Sequence, residues 1–157
     1  MYTFSQSIEI ERPAEVVWPY LAALEQVGTW EEGVGPIDVL TPRPIRVGTQ
    51  IAARRNFANA KTRLSGEIRE WEEGRTGTMA IRGGPIELAL ATFSVEPIDA
   101  NRSRVTYTGE VELRGALRWL SAALPAMGRR QMTANLNRLR ARVLSGIEPT
   151  SDEPTPS

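Results

Sequence analysis

Two residue types are missing from this chain of 157 residues, which contains neither cysteine nor histidine. Their absence excludes thiol nucleophiles, disulfide bonds, cysteine-ligated zinc and imidazole general bases. A metal site would need carboxylates alone, and no Asp/Glu cluster with ligand spacing is present. We therefore expect no metal and no cofactor, and any enzymatic activity would have to proceed without His, Cys or metal.

An excess of charge of one sign is also absent, because 19 basic residues balance 19 acidic ones. This balance removes the simplest argument for a nucleic-acid or anionic-membrane partner, and we predict no nucleic-acid partner. Lys61 is the one lysine, and every other basic residue is an arginine. A coding bias explains this better than phosphate binding does, although the planar guanidinium would suit an anionic ligand.

Long apolar runs are missing as well. The most apolar stretch, residues 113–127, is interrupted by Arg114, Arg118 and Pro125 and is too short to span a bilayer. The first residues lack a basic segment followed by an apolar run, so they do not resemble a signal peptide. We expect a cytoplasmic protein without a transmembrane segment.

The chain begins with an alternating strand that leads into a helix. Phe4, Ile8 and Ile10 can share one face of a strand over residues 2–11. Pro13 suits the first turn of a helix, whereas Pro19 comes late enough to bend or shorten it.

The middle of the chain, residues 37–113, is divided by turn signals at regular intervals. Short segments separated in this way predict an antiparallel meander. The predicted strands are Ile51–Phe57, Thr62–Trp71, Thr76–Ile81, Ile86–Pro97 and Ser103–Leu113.

A C-terminal helix with one apolar stripe follows. Pro125 and Gly128 interrupt the stripe, so we expect a kink or a separate first segment. Residues 147–157 are rich in proline, serine and acidic residues and are predicted to be a disordered tail, which leaves residues 1–146 as one domain. The stripe consists of Leu117, Leu120, Leu124, Met132, Leu136, Leu139 and Val143.

Several short motifs succeed one another along the chain. They are I-E-I-x-x-P-A-E-V-V-W at Ile8–Trp18, Trp30, V-G-T at Val47–Thr49, F-S-V-E-P at Phe93–Pro97, R-V-T-Y-T at Arg104–Thr108 and N-L-x-R-L-R at Asn135–Arg140. None is specific alone, but their order over residues 2–145 resembles the START-type helix-grip superfamily. This superfamily, also called SRPBCC, includes the polyketide cyclase/dehydrase-like proteins.

The resemblance implies an α+β helix-grip fold, in which a seven-stranded curved antiparallel sheet wraps around the long C-terminal helix. Two short helices after the first strand and a cavity between sheet and helix are implied as well. Family members bind lipids, sterols, plant hormones or polyketides, and some cyclise or dehydrate aromatic polyketides. The family shares no universal catalytic residue, so the fold does not determine a reaction.

The candidates for binding a ligand in that cavity are Trp30, Arg55, Glu87, Phe93, Tyr107, Leu120 and Leu124. Alternation places Arg54 and Arg55 on opposite faces of one strand, and Arg55 shares parity with Ile51. We therefore prefer Arg55 as the inward, ligand-orienting group, with a structural salt bridge as its alternative role. Tyr107 shares a face with Val105 and would either donate to a ligand carbonyl or serve as a core tyrosine.

Glu87 has the same parity as Phe93 and Val95, provided that no bulge shifts the register. An inward carboxylate there would have a raised pKa and could act as a general acid or base, whereas a solvated strand end is the alternative. Trp30 would either stack on a flat ligand or belong to the core. Trp119 would mark a homodimer contact or a lid if its apolar neighbours face the sheet.

Three functions are open from the sequence. The first is binding of a small hydrophobic or aromatic ligand, lipid- or polyketide-like, between the sheet and the C-terminal helix. The second is a polyketide cyclase or dehydratase-like enzyme that uses Tyr107, Glu87 or Arg55 for enolisation and proton transfer. The third is a protein- or membrane-surface interaction module formed by residues 113–127.

Overall fold

The computed structural model describes residues 1–32, 34–57, 60–120 and 124–147, so most of the predicted tail lies outside the described residues. The elements in chain order are β1 (Tyr2–Ile10), α1 (Ala14–Ala22), a 3₁₀ helix (Leu24–Thr29), β2 (Asp38–Val39), β3 (Gln50–Phe57), β4 (Ala60–Glu72), β5 (Thr76–Gly83), β6 (Ile86–Asp99), β7 (Arg102–Leu113), a second 3₁₀ helix (Gly115–Leu120) and α2 (Leu124–Ser145).

The strands form one seven-stranded antiparallel sheet in the order β1-β7-β6-β5-β4-β3-β2. The five strands predicted in the middle of the chain correspond to β3–β7, with ends that differ by a few residues. Alternation is regular in β1, where every second residue is exposed. The predicted helix-grip fold is confirmed, since this sheet holds the long α2 on one face and two short helices follow β1.

The prolines of the two α helices have different effects. Pro13 caps α1, and α1 ends at Ala22, soon after the internal Pro19, so the predicted short helix is confirmed. Pro125 lies in the first turn of α2, where its missing N–H costs nothing. The separate segment expected before it is the second 3₁₀ helix, which contains two of the leucines assigned to the helical stripe.

The apolar side of α2 is buried against the sheet through Met132, Leu136, Leu139 and Val143. Close packing with β1 requires two glycines around the Phe4 ring. A Cβ atom at Gly109 of β7 would come within 2.4 Å of that ring, and one at Gly128 of α2 within 2.9 Å. The helix therefore approaches the sheet at a place where no side chain larger than hydrogen fits without displacing Phe4.

One end of the sheet brings the β5–β6 turn together with the ends of several other elements. The β5–β6 turn pairs Gly83 with Ile86, and Ile86 is the register partner of Leu113 at the end of β7. The start of β1 lies beside the same part of β7, because Tyr2 pairs with Val111. The end of β3, the start of β4 and the start of α2 lie at this end too. We call it the Gly84 end.

Candidate functional site

A cavity of about 240 Å³ lies between the inner face of the sheet and α2. Three alanines on its wall, Ala53, Ala89 and Ala91, leave space that larger side chains would fill. The cavity extends to the Gly84 end, because Tyr2, Ile86 and Leu113 belong to its wall. An apolar cavity of about 150 Å³ is enough to bind benzene, so this volume suits a molecule with one or two rings.

Three ionisable side chains meet on this mainly apolar wall, which also includes Tyr2, Arg54, Gln131 and Asn135. Glu31, just after the first 3₁₀ helix, is buried with 8 % of its surface exposed. Arg55 of β3 donates from Nη1 to Glu31 Oε1 at 3.4 Å. Tyr107 of β7 is buried on the same wall, near enough to both residues for their charges to act on it. We call Glu31, Arg55 and Tyr107 the polar pole.

Burial dominates the electrostatics of the polar pole. It raises the pKa of Glu31 above the ordinary value of 4.5, and the charge and hydrogen bond of Arg55 only partly oppose this effect. Burial, together with the negative charge of Glu31, raises the pKa of Tyr107 well above 10.0. The Tyr107 phenol therefore remains a hydrogen-bond donor, and Glu31 takes up a proton more readily than an exposed glutamate.

The helix contributes an amide to the same cavity. Asn135 of α2 is buried, and its Oδ1 accepts hydrogen bonds from the Glu32 backbone N–H at 3.2 Å, from Gln131 Nε2 at 3.1 Å and from Arg138. Three donors around one oxygen fix the orientation of the amide. This network ties the segment that carries Glu31 to the gripped helix.

Replacing Glu31 by glutamine is expected to stabilise the fold at neutral pH but not in acid. The folded-state pKa of Glu31 lies above 4.5, so the folded protein binds this proton more tightly than the unfolded chain does. The stabilising contribution of Glu31 is therefore fully present below pH 4.5 and is lost as the pH rises through the folded-state pKa. Thermal melts of wild type and Glu31→Gln across this range measure the difference. The exposed Glu96→Gln variant is the control, and an advantage of Glu31→Gln that grows toward acid would contradict the assignment.

Of the residues predicted from sequence, the structure places Arg55 and Tyr107 together on the cavity wall. Arg55 also makes the salt bridge that was its alternative role, with a partner outside the strands. Leu124 begins α2 and is half-buried away from the wall. The side chain of Leu120 lies outside the described residues.

The two predicted aromatic contacts are buried but lie outside the cavity wall. Trp30 is 3 % exposed, and its carbonyl oxygen accepts a hydrogen bond from Arg138 Nε at 3.0 Å. Phe93 packs against Trp18 and Trp71, with ring centroids 5.9 and 6.1 Å apart. Both residues therefore have the core role that was the alternative for Trp30.

The structure contradicts the expectation that Glu87 points into the cavity, which rested on its shared parity with Phe93 and Val95. The register between β6 and β7 shifts between Ile86 and Leu88, which turns Glu87 outward. There its Oε2 pairs with Arg114 Nε at 3.1 Å, and half of its side chain is exposed. Glu87 is the solvated strand end that was the alternative interpretation.

Glu31 and Asn135 are the cavity residues that sequence reasoning missed. Glu31 lies in a turn, where neither helical nor strand periodicity predicts which way a side chain points. Asn135 had a signal, because it lies one helical turn from Met132 and Leu139 on the buried side of α2. A polar residue in an apolar stripe is a candidate for a buried hydrogen-bond network.

A second cleft, of about 500 Å³, lies at the other end of the molecule beside Trp18, Arg43 and Trp71. Its polar groups are already paired. Glu73 accepts hydrogen bonds from the indole nitrogens of Trp18 and Trp71 at 2.9 and 2.8 Å, and Arg43 pairs with Glu25. These contacts join α1 to β4, so we assign this cleft a structural role.

Among the residues that the structure describes, no group of three Asp or Glu side chains is placed to hold a metal ion. The same described ranges contain no helix whose length and apolarity would allow it to cross a membrane.

A curved antiparallel sheet that grips a C-terminal helix around a cavity defines a helix-grip protein. The family model described as polyketide cyclase/dehydrase and lipid transport matches residues 1–144. The chain therefore belongs to this family. No curated protein matches it in sequence.

Solved structures with similar folds share little sequence with this chain. The Zhui aromatase/cyclase from Streptomyces sp. R1128 is similar with a TM-score of 0.77 and 13 % identity, over 93 % of this chain and 95 % of that one. A START superfamily protein from Mycobacterium smegmatis is similar with a TM-score of 0.69 and 15 % identity, over 93 % and 96 % of the two chains. At such identities the similarity shows the fold alone.

Proposed function

We propose that this protein binds a small hydrophobic or aromatic molecule between the sheet and α2, with an oxygen atom of that molecule at the polar pole. The observation that carries the proposal is the position of Glu31, Arg55 and Tyr107 on a cavity wall that is otherwise mainly apolar. Apolar burial supplies most of the affinity, at ~25 cal/mol per Å². The polar pole fixes the orientation of the molecule.

The donors of the polar pole favour a ligand with a carbonyl or hydroxyl oxygen. Tyr107 and the Arg55 guanidinium both donate hydrogen bonds, and Glu31 donates when protonated and accepts when ionised. A ligand without oxygen would displace water from the polar pole without forming hydrogen bonds in its place. The unsatisfied donors would lower the affinity. A phenol or an aryl ketone of one or two rings fits both the volume and the chemistry.

Binding of 2-naphthol is expected to weaken at least about tenfold in the Ala91→Leu variant. Ala91 lies on the cavity wall and is 6 % exposed, so a leucine there occupies the space of the ligand. Titration of 2-naphthol fluorescence measures the affinity of wild type and variant. The exposed Ala141→Leu on the outer side of α2 is the control and should bind as wild type does. Equal affinity of Ala91→Leu and wild type would place the ligand elsewhere.

A cyclase or dehydratase-like activity is the second candidate, and the buried carboxyl of Glu31 favours it. An ionised Glu31 can take a proton from the carbon next to a ligand carbonyl, while Tyr107 and Arg55 donate hydrogen bonds to the enolate oxygen that forms. In this hypothesis Glu31 therefore has the role that strand parity predicted for Glu87.

A further inference from the structure

The charges of this neutral chain are not evenly distributed over its surface. At the Gly84 end, basic residues outnumber the acidic Glu87, Glu110 and Glu112. Arg54 of β3 and Arg63 of β4 are direct register partners. Like charges opposite each other on neighbouring strands destabilise a sheet, so fold stability does not explain this pair. Among the described residues, the exposed basic ones at this end are Arg54, Lys61, Arg63, Arg82, Arg114, Arg129 and Arg130.

Most of these cations lack an acidic partner. Arg114 pairs with Glu87, but Arg54, Lys61 and Arg63 form no ion pair with any residue in the described ranges. Residues 113–130 contain no acidic residue, and Arg114, Arg129 and Arg130 are exposed among the described part of this segment. The surface here is therefore positive although the whole chain has no net charge.

Two large apolar side chains of residues 113–130 are exposed as well. Trp119 of the second 3₁₀ helix is 83 % exposed, and Met127 of α2 is 64 % exposed. Tryptophan and arginine together are typical of surfaces that lie at the interface of a lipid bilayer, where the ring enters the headgroup region and the cation meets lipid phosphate. Leu113 and Gly128, which flank Trp119 in the sequence, both belong to the cavity wall.

We propose that the Gly84 end is a docking surface for an anionic lipid bilayer, with Trp119 and Met127 inserted at the interface and the surrounding arginines on lipid phosphates. Charge complementarity selects this occupant. A second copy of the chain would present the same positive surface in a symmetric dimer and would be repelled. A nucleic acid would match the charge but not the exposed tryptophan and methionine. Docking would place the Gly84 end, to which the cavity extends, against the membrane.

Vesicles of phosphatidylglycerol and phosphatidylcholine in equal parts test the proposal, with phosphatidylcholine vesicles for comparison. Wild type is expected to sediment with the anionic vesicles only, and to be released by salt. The Arg63→Gln/Arg130→Gln variant should bind about 25-fold more weakly, at roughly fivefold for each arginine near the surface. Trp119→Ala should bind about tenfold more weakly, because it loses apolar burial in the interface.

Matched variants away from the Gly84 end provide the controls. Arg69→Gln/Arg75→Gln removes the same charge, and Leu40→Ala removes an exposed apolar side chain; both should bind as wild type does. A shift of tryptophan emission on binding should disappear in Trp119→Phe, because Trp18 and Trp30 are buried and the half-buried Trp71 lies in the cleft at the other end of the molecule.

Three results would overturn the proposal. The first is that wild type binds both kinds of vesicle equally, and the second is that Arg69→Gln/Arg75→Gln loses as much affinity as Arg63→Gln/Arg130→Gln. The third is that the protein binds a single-stranded oligonucleotide as tightly as it binds vesicles, with no effect of Trp119→Ala. Affinity for 2-naphthol should stay unchanged in Trp119→Ala, which separates failure of this surface from failure of the cavity proposal.

Discussion

Replacing Leu139 by alanine is expected to lower the free energy of unfolding by about 2–5 kcal/mol. Leu139 is fully buried at the centre of the side of α2 that the sheet grips. Removing its side chain loses apolar burial and leaves a void that the stiff sheet cannot close. In a domain of this size, the loss would lower the melting temperature by at least about 5 °C. Denaturant unfolding followed by circular dichroism measures it.

An exposed leucine provides the matched control. Leu40 is 57 % exposed, so Leu40→Ala should change the stability by no more than about 0.5 kcal/mol. Equal effects of the two substitutions would mean that α2 is not gripped by the sheet. The cavity would then lose one of its walls, and every proposal about its contents would fail with it.

The fold was predictable because its signals are local. Regular turn residues divide β3 to β7, Pro13 opens α1, and an apolar stripe marks α2; each depends on a few neighbouring residues. The second 3₁₀ helix was harder to predict. Its leucines continue the spacing of the stripe, but Pro125 starts a new helix after them, so the same periodicity runs across two elements.

The site was predictable only where strand alternation held. Parity placed Arg55 and Tyr107 on the inner face, because β3 and β7 keep their register around these residues. The same rule failed at Glu87, where one bulge reverses the side-chain direction. Glu31 could not be found in this way, since its position depends on how the turn after a 3₁₀ helix packs against β3.

The distribution of charge over the surface could not be predicted from the composition either. Equal numbers of basic and acidic residues argued against an anionic partner, and this argument assumes that both signs are mixed over the surface. The antiparallel hairpins instead bring Lys61, Arg63 and Arg82 to one end of the sheet. Topology, which a residue count does not contain, separates the charges.

The cyclase hypothesis predicts that the protein catalyses exchange of the protons next to the carbonyl of 1-tetralone in heavy water, and that Glu31→Gln slows this exchange at least about 100-fold. Glu31 would take one proton from the carbon as the C–H bond breaks, and the electron pair would move to the carbonyl oxygen beside Tyr107 and Arg55. Solvent deuterium would replace the proton on Glu31 and be returned to the carbon. Proton NMR follows the loss of signal at that carbon.

Two comparisons separate this reaction from binding alone. Glu87→Gln alters a carboxylate that points outward and pairs with Arg114, so the exchange should continue at the wild-type rate. Glu31→Gln should still bind 2-naphthol within a few-fold of wild type, because glutamine keeps the shape and a donor for the ligand oxygen. Wild type that catalyses no exchange, or Glu31→Gln that catalyses it unchanged, would contradict the enzymatic hypothesis. A buried carboxyl with a raised pKa would then serve the polar pole as a hydrogen-bonding group, and ligand binding would be the function that the cavity supports.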